Sequence, residues 1–146
     1  MFCLIYHSVA SPSFGRQDIQ QMLDKARVKN EKLRITGCLL FYEGEFIQYL
    51  EGNQIRVLEL YDEIKKDKRH SDIELISYAE REGREFDGWD MAYEDFIGDN
   101  DQITYLKLLI NSYFEDAEDT SIIHPASMPF WETVHKLLQA KSRPNV

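Results

Sequence analysis

Cysteine is scarce in this 146-residue chain. Cys3 and Cys38 stand alone, with no Cys-x-x-Cys and no histidine at zinc spacing, so a structural zinc site is excluded and buried reduced thiols are expected. No apolar run approaches the roughly 18 residues needed to cross a bilayer. The N-terminus lacks a basic start followed by a long apolar stretch, so no signal peptide is expected and the protein reads as cytoplasmic. Positive charge is in deficit: 17 basic against 26 acidic residues give a net charge of −9. Binding along a phosphate backbone needs a basic face, so no nucleic-acid partner is expected. There is no glycine-rich phosphate loop, no His-Glu metal set and no nucleophile beside a paired base.

What is present is a globular composition, 43% hydrophobic and 12% aromatic. Residues 2–8 read as a strand, and 9–15 as a loop. Ile19, Met22, Leu23 and Ala26 recur at helical spacing over about residues 17–30. Residues 35–42 and 45–51 form two strand-like runs joined at Glu43-Gly44, a hairpin that sets Leu39 opposite Gln48. Asn53 is placed to cap a helix whose apolar side carries Val57, Leu60, Tyr61 and Ile64. Residues 73–80 and 86–93 read as two further strands. The order βαββαββ predicts a ferredoxin-like α+β sandwich with one added strand.

Two helices cover one face of such a sheet and leave Leu40, Ile47 and Tyr49 on the other. The tail is patterned to cover that face. Ile103, Leu106, Ile110 and Tyr113 mark one amphipathic helix. Ser127 is placed to cap a second, with Phe130, Val134, Leu137 and Leu138 on its apolar side. Glu115, Asp116, Glu118 and Asp119 between them read as a solvated loop. The division expected is residues 1–96 as one domain and 97–146 as a helical extension packed on the sheet.

Gln48 is the most informative residue. Phe46, Gln48 and Leu50 share one strand face, because strand side chains alternate. A buried amide without partners costs about 1–3 kcal/mol, so something polar must meet it. Tyr6, on a face with Phe2, Leu4 and Ser8, is a candidate, and a Tyr–Gln hydrogen bond that merely satisfies both groups is the plain account. Asn30 lies eleven positions after Ile19, almost directly above it on the apolar stripe at about 100° per residue. Arg27 lies at the stripe's edge. For Asn30 alone, a helix C-cap is the simpler reading. Asp67-Lys68-Arg69-His70 closes the second helix, where basic residues complement the dipole. Trp89 and Met91 share a face if 86–93 is a strand, and core packing would explain them.

Taken together, these blocks resemble the BLUF domain, the blue-light sensor that uses FAD. The resemblance covers roughly residues 1–96. It rests on Leu4-Ile5-Tyr6-His7-Ser8, on Asn30 followed by Ile35-Thr36-Gly37, on Phe46-Ile47-Gln48-Tyr49-Leu50-Glu51-Gly52, on Asp67-Lys68-Arg69-His70, and on Arg84-Glu85-Phe86-Asp87-Gly88-Trp89-Asp90-Met91.

The resemblance implies FAD with its ring between the two helices, FMN being the alternative occupant. It implies that Gln48 lies between Tyr6 and the ring, that Asn30 bonds the ring's polar edge, and that Asp67, Arg69 and His70 form the outer part of the site. Arg27 and Lys29 belong to the same binding set. A basic residue that some members carry just before the position of Ile64 is Glu63 here, so the phosphates are expected either to meet Lys29, Lys66 or Arg69 or to be loose and solvated. The implied chemistry is light-driven electron and proton transfer from Tyr6, relay by Gln48, and a red-shifted state that relaxes in the dark without substrate turnover. Ser8, Trp89 and Met91 are the implied signal relay. With no effector domain in these residues, output is expected to pass through a partner protein or a homo-oligomer. Two other classes remain open. A ferredoxin-like flavin oxidoreductase or hydrolase would be an enzyme, and a light-independent interaction module would bind partners through the tail.

Overall fold

The computed structural model describes residues 1–96, 104, 107, 108, 110 and 124–141. The chain forms two compact units, Met1–Glu94 and Asp95–Val146. The first contains β1 (Phe2–Ala10), α1 (Arg16–Leu33), β2 (Thr36–Tyr42), β3 (Glu45–Gly52), α2 (Gln54–Lys66), β4 (His70–Glu80) and β5 (Ala92–Glu94). The five strands lie in the order β4-β1-β3-β2-β5. The first four pair antiparallel, and β5 runs parallel to β2. This is the expected α+β fold, a ferredoxin-like sheet with one strand added.

Local chemistry fixes the frame. Glu43 and Gly44 both take left-handed backbone, at φ 49° and φ 82°, as a two-residue hairpin loop of the primed type requires. The resulting register sets Leu39 opposite Gln48 and Gln48 opposite Tyr6. Asn53 caps α2 by accepting the Arg56 amide at 3.2 Å. The Asp18 carboxylate accepts the Gly15 amide at 2.8 Å and starts α1.

The helix-facing core gathers Leu4, Tyr6, Leu39, Phe46 and Leu50 from the sheet with Ile19, Leu23, Val57 and Tyr61 from the helices. On the opposite strand face Leu40, Ile47 and Tyr49 are all buried.

Four expectations need correction. Helix α1 runs one turn past Asn30 and ends at Arg34, whose φ is 55° and whose amide donates to the Glu31 carbonyl, so Asn30 is not the cap. Strand β4 begins at His70 rather than residue 73, because Ala10 and Val9 of β1 extend the ladder to His70 and Ser71. The last strand is Ala92–Glu94 and not 86–93, so Trp89 and Met91 lie in the preceding loop and share no strand face. The last strand was expected beside the strand that carries Gln48, but β2 lies between it and β3. The physical reason for the short strand is that Glu85, Phe86, Asp90 and Met91 give their backbone hydrogen bonds to side chains, and the Trp89 amide turns back to the Phe86 carbonyl, so no ladder forms.

In the second unit, residues 104, 107, 108 and 110 are helical and Ile110 is buried. Helix α3 (Met128–Lys141) buries Phe130, Val134, Leu137 and Leu138 as expected, together with Trp131, whose indole N–H donates to the Pro125 carbonyl at 2.6 Å. Ser127 stands just before α3 and its hydroxyl donates to the His124 carbonyl at 2.8 Å. The expectations for Ile103, Leu106, Tyr113 and the acidic run Glu115 to Asp119 fall outside the described residues. Among the described residues, no helix is long and apolar enough to cross a membrane, and no cluster of His, Cys, Asp or Glu could hold a metal ion.

Candidate functional site

A cavity of about 240 Å³ opens between α1, α2 and the sheet. Its walls are largely apolar: Met22, Leu23 and Ala26 from α1, Leu39 and Phe46 from the sheet, Leu60 and Ile64 from α2. Into it come Tyr6, Asn30, Gln48, Asp67, Arg69, His70 and Met91. A mostly apolar slot with a few convergent polar groups is the form of a small-molecule site.

The polar groups form a chain. The Tyr6 hydroxyl donates to Gln48 Oε1. Gln48 Nε2 in turn donates to Met91 Sδ at 3.3 Å. Burial holds the Tyr6 phenol well above its ordinary pKa, with Tyr61 and Asp67 adding to the shift, so Tyr6 is a neutral donor. Its ring also meets that of Tyr61 at 5.5 Å. Beside it, His70 Nε2 lies 2.6 Å from the Ile64 carbonyl, which can only accept. That nitrogen therefore carries the hydrogen, and in the neutral ring Nδ1 accepts the Ser8 hydroxyl at 2.8 Å. Ser8 supports His70 and does not line the cavity.

Asn30 is 1% exposed. Its Nδ2 donates to the Asp90 carbonyl at 2.9 Å, but its Oδ1 is buried and meets no donor among the described residues. An orphan acceptor in a core costs about 1–3 kcal/mol. Facing a cavity, it marks where a ligand N–H belongs. The isoalloxazine ring is a flat apolar body whose one imide N–H is flanked by carbonyls. It suits both the slot and the orphan oxygen.

The remaining expected residues divide. Asp67 braces Arg69 through two bonds of 2.9 Å to the guanidinium Nε, and that side chain holds the Asp67 carboxyl below its usual pKa. Arg69 also lies 5.8 Å over the Phe14 ring. Lys29 lines the cavity but is ion-paired with Glu63, and Lys66 is not part of its wall. Arg27 is not in the cavity wall; its Nε donates to the Met91 carbonyl at 3.0 Å. Trp89 is half-buried outside the cavity, its carbonyl accepting the Gly37 amide at 3.2 Å.

Two cations were not foreseen. A shallower groove adjoins the cavity through Phe14, Met22, Lys25 and Arg69, and brings Lys25 and Lys68 to the same mouth. Lys25 sits one turn before Lys29 on α1, a spacing that could have suggested it.

Comparison with known proteins adds a family match. The family model for sensors of blue-light using FAD, BLUF, matches residues 1–92. The photoactivated adenylate cyclase subunit alpha-like protein FB of Euglena gracilis is 40% identical over 86 residues, 59% of this chain and 8% of that protein. The chain thus spans less than a tenth of that relative's length. The structure of BlsA in its photo-activated state superposes with a TM-score of 0.72 at 25% identity, covering 94% of each chain. Klebsiella pneumoniae BlrP1, solved with FMN and cyclic diGMP, is 35% identical with a TM-score of 0.62, over 65% of this chain and 26% of that one.

Proposed function

Because the chain belongs to the BLUF family and is thereby a blue-light-sensing flavin module, we propose that Tyr6 and Gln48 carry its photochemistry. The flavin, when bound, supplies the blue-light absorption and a strong excited-state oxidant. Tyr6 is the side chain placed to give up an electron and a proton. The proton has a ready acceptor in Gln48 Oε1, to which the phenol already donates. Gln48 carries a donor and an acceptor on one amide, so rotation or tautomerisation of that amide exchanges what it presents to its neighbours. Return of the electron and proton leaves Tyr6 unchanged and the amide rearranged, with no substrate consumed.

The single observation that carries this reading is the orphaned Asn30 Oδ1 in the same cavity as the Tyr6–Gln48–Met91 chain. Lys25, Lys68 and Arg69 at the adjoining groove support FAD, whose longer tail carries a diphosphate, over FMN. The test is one absorption spectrum before and after blue light. The protein purified with FAD should be yellow, shift slightly to the red on illumination and recover in the dark. A colourless chain that takes up no added FAD overturns the reading.

Output is assigned to residues 97–146 and to a partner protein or a further copy of the chain. Two features support this. Met91, which meets Gln48, leads directly into β5, from which the chain continues into those residues. Helix α3 carries an apolar stripe over residues 130–138, which gives a helical extension a face to pack with. Light-dependent hydrogen exchange in residues 97–146 tests the assignment, and identical protection in dark and light refutes it. The buried free thiols of Cys3 and Cys38 support a cytoplasmic location.

A further inference from the structure

Glu51 is fully buried, yet none of the chemistry above uses it. It lies on the strand face opposite to Gln48, three residues along β3. Its carboxylate is saturated with donors. Oε1 accepts the Glu85 amide at 2.8 Å and the Tyr49 hydroxyl at 3.2 Å. Oε2 accepts the Phe86 amide at 2.8 Å and the Thr36 hydroxyl at 2.8 Å. Arg84 closes the arrangement from outside. Its guanidinium donates to Thr36 Oγ1 at 2.8 Å, to the Glu51 carbonyl at 3.3 Å and to the Arg34 carbonyl at 2.7 Å. Two consecutive amides on one carboxylate fix the start of a loop more tightly than apolar packing would, because hydrogen bonds to a charge are short and directional.

That loop ends at Met91. Between the two ends its carbonyls are held by Gly37 at Trp89, by Asn30 at Asp90 and by Arg27 at Met91. Its last side chain makes the weakest contact in the site, a thioether accepting from Gln48 at 3.3 Å. The stability of one amide orientation over another therefore depends on where Met91 Sδ stands.

We infer that Glu51, with Thr36 and Arg84, is a positioning device that sets Met91 against the Gln48 amide and so sets the lifetime of the light-adapted state. This rests on the sensor reading but has a test independent of it. Glu51→Gln keeps the shape and turns one acceptor oxygen into a donor. In flavin-free protein it should speed amide exchange at Glu85 and Phe86 by about tenfold, the effect of losing one charge-assisted hydrogen bond. In the flavin-loaded full chain, Glu51→Gln and Arg84→Ala should each change the dark-recovery rate by about threefold or more at unchanged flavin content. Arg84 is half-buried, so its variant keeps the test alive if Glu51→Gln does not fold.

The decisive measurement places Arg84→Ala in a Met91→Ala background. If the clamp acts through Met91, recovery there should not change further. The same fold-change in both backgrounds, or unchanged recovery in variants with raised exchange, overturns the inference. Unchanged exchange at Glu85 and Phe86 overturns the clamp whether or not flavin binds. A colourless wild-type chain with raised exchange in the variant overturns the sensor reading and with it the effect on lifetime, while the hold of Glu51 on Glu85 and Phe86 stands.

Discussion

Tyr6 and Asn30 present two residue-scale problems that the sequence alone leaves unequal. Tyr6 is satisfied by Gln48, so its burial could be structural; only its chemistry tells otherwise. Tyr6→Phe removes the O–H and nothing else of size. The expected result is normal flavin content with no red-shifted state after illumination, and Gln48→Leu should give the same loss by deleting the relay. A normal light-minus-dark difference spectrum in either variant counts against the assignment. Asn30 differs because one of its atoms is unsatisfied. Asn30→Ala should weaken flavin binding by about tenfold or more, in line with about 1–3 kcal/mol for a buried hydrogen-bonding group. The flavin-free protein should unfold within a few degrees of the wild type, since an orphan acceptor goes with the bond to Asp90. Flavin titration beside thermal unfolding separates this from a helix cap, whose loss would lower stability and spare the flavin. Gln48 was legible from sequence because an amide between Phe46 and Leu50 demands a partner. The same reasoning applies to Glu51 beside Leu50, but a carboxylate next to a glycine reads as a strand end, and its donors sit in a loop with no periodicity.

At the scale of elements, the legible parts are those whose side-chain period matches their burial. Strands β1, β2 and β3 are near-continuous apolar runs buried on both faces, helices α1 and α2 each show one apolar stripe, and the Glu43-Gly44 hairpin fixed the Leu39–Gln48 pairing correctly. Strand β4 was cut short because it is an edge strand, exposed over most of its length, so its early residues carry no apolar signal. Residues 86–93 misled for the opposite reason. Phe86 and Met91 are both buried, but by a loop tied to Glu51, Asn30 and Arg27 and not by a ladder. Among these elements the β2–β3 pair is the least tolerant of added volume. A Cβ on Gly37 would lie 2.0 Å from the Tyr49 carbonyl oxygen, a backbone atom that cannot swing aside. Gly37→Ala should therefore destabilise the fold by about 3 kcal/mol or more, at the upper end of what overpacking costs. It should also disturb the Trp89 carbonyl contact that the Gly37 amide makes. A denaturant midpoint within error of the wild type would show that the two strands can separate locally.

For the molecule as a whole, the buried acids that lie in the unit Met1–Glu94 make its stability depend on alkaline pH. Desolvation raises the pKa of Tyr6, with Tyr61 and Asp67 adding to it, and raises that of Tyr49, with Glu51 and Cys3 adding. Tyr61 is also raised by burial, opposed by Lys65. Burial likewise lifts both thiols, Cys38 well above its usual value and Cys3 less. In the unfolded chain thiols ionise near about pH 8.5 and tyrosines near about 10. In the fold these groups stay protonated to higher pH. Their contribution is thus fully present below the unfolded pKa and is lost as pH rises toward the folded one. Each such group removes up to about 1.4 kcal/mol per pH unit over that interval. The thermal midpoint should accordingly fall between about pH 8 and about pH 11, with the steeper part above about pH 10, where the tyrosines join the thiols. Tyr6→Phe removes one titrating group and should flatten the upper part of the curve, while Tyr78→Phe, at an exposed position, should leave it unchanged. Equal slopes for wild type and Tyr6→Phe above about pH 10 would mean that Tyr6 ionises as readily in the fold as in the open chain, and would remove the basis for treating it as a neutral proton donor to Gln48.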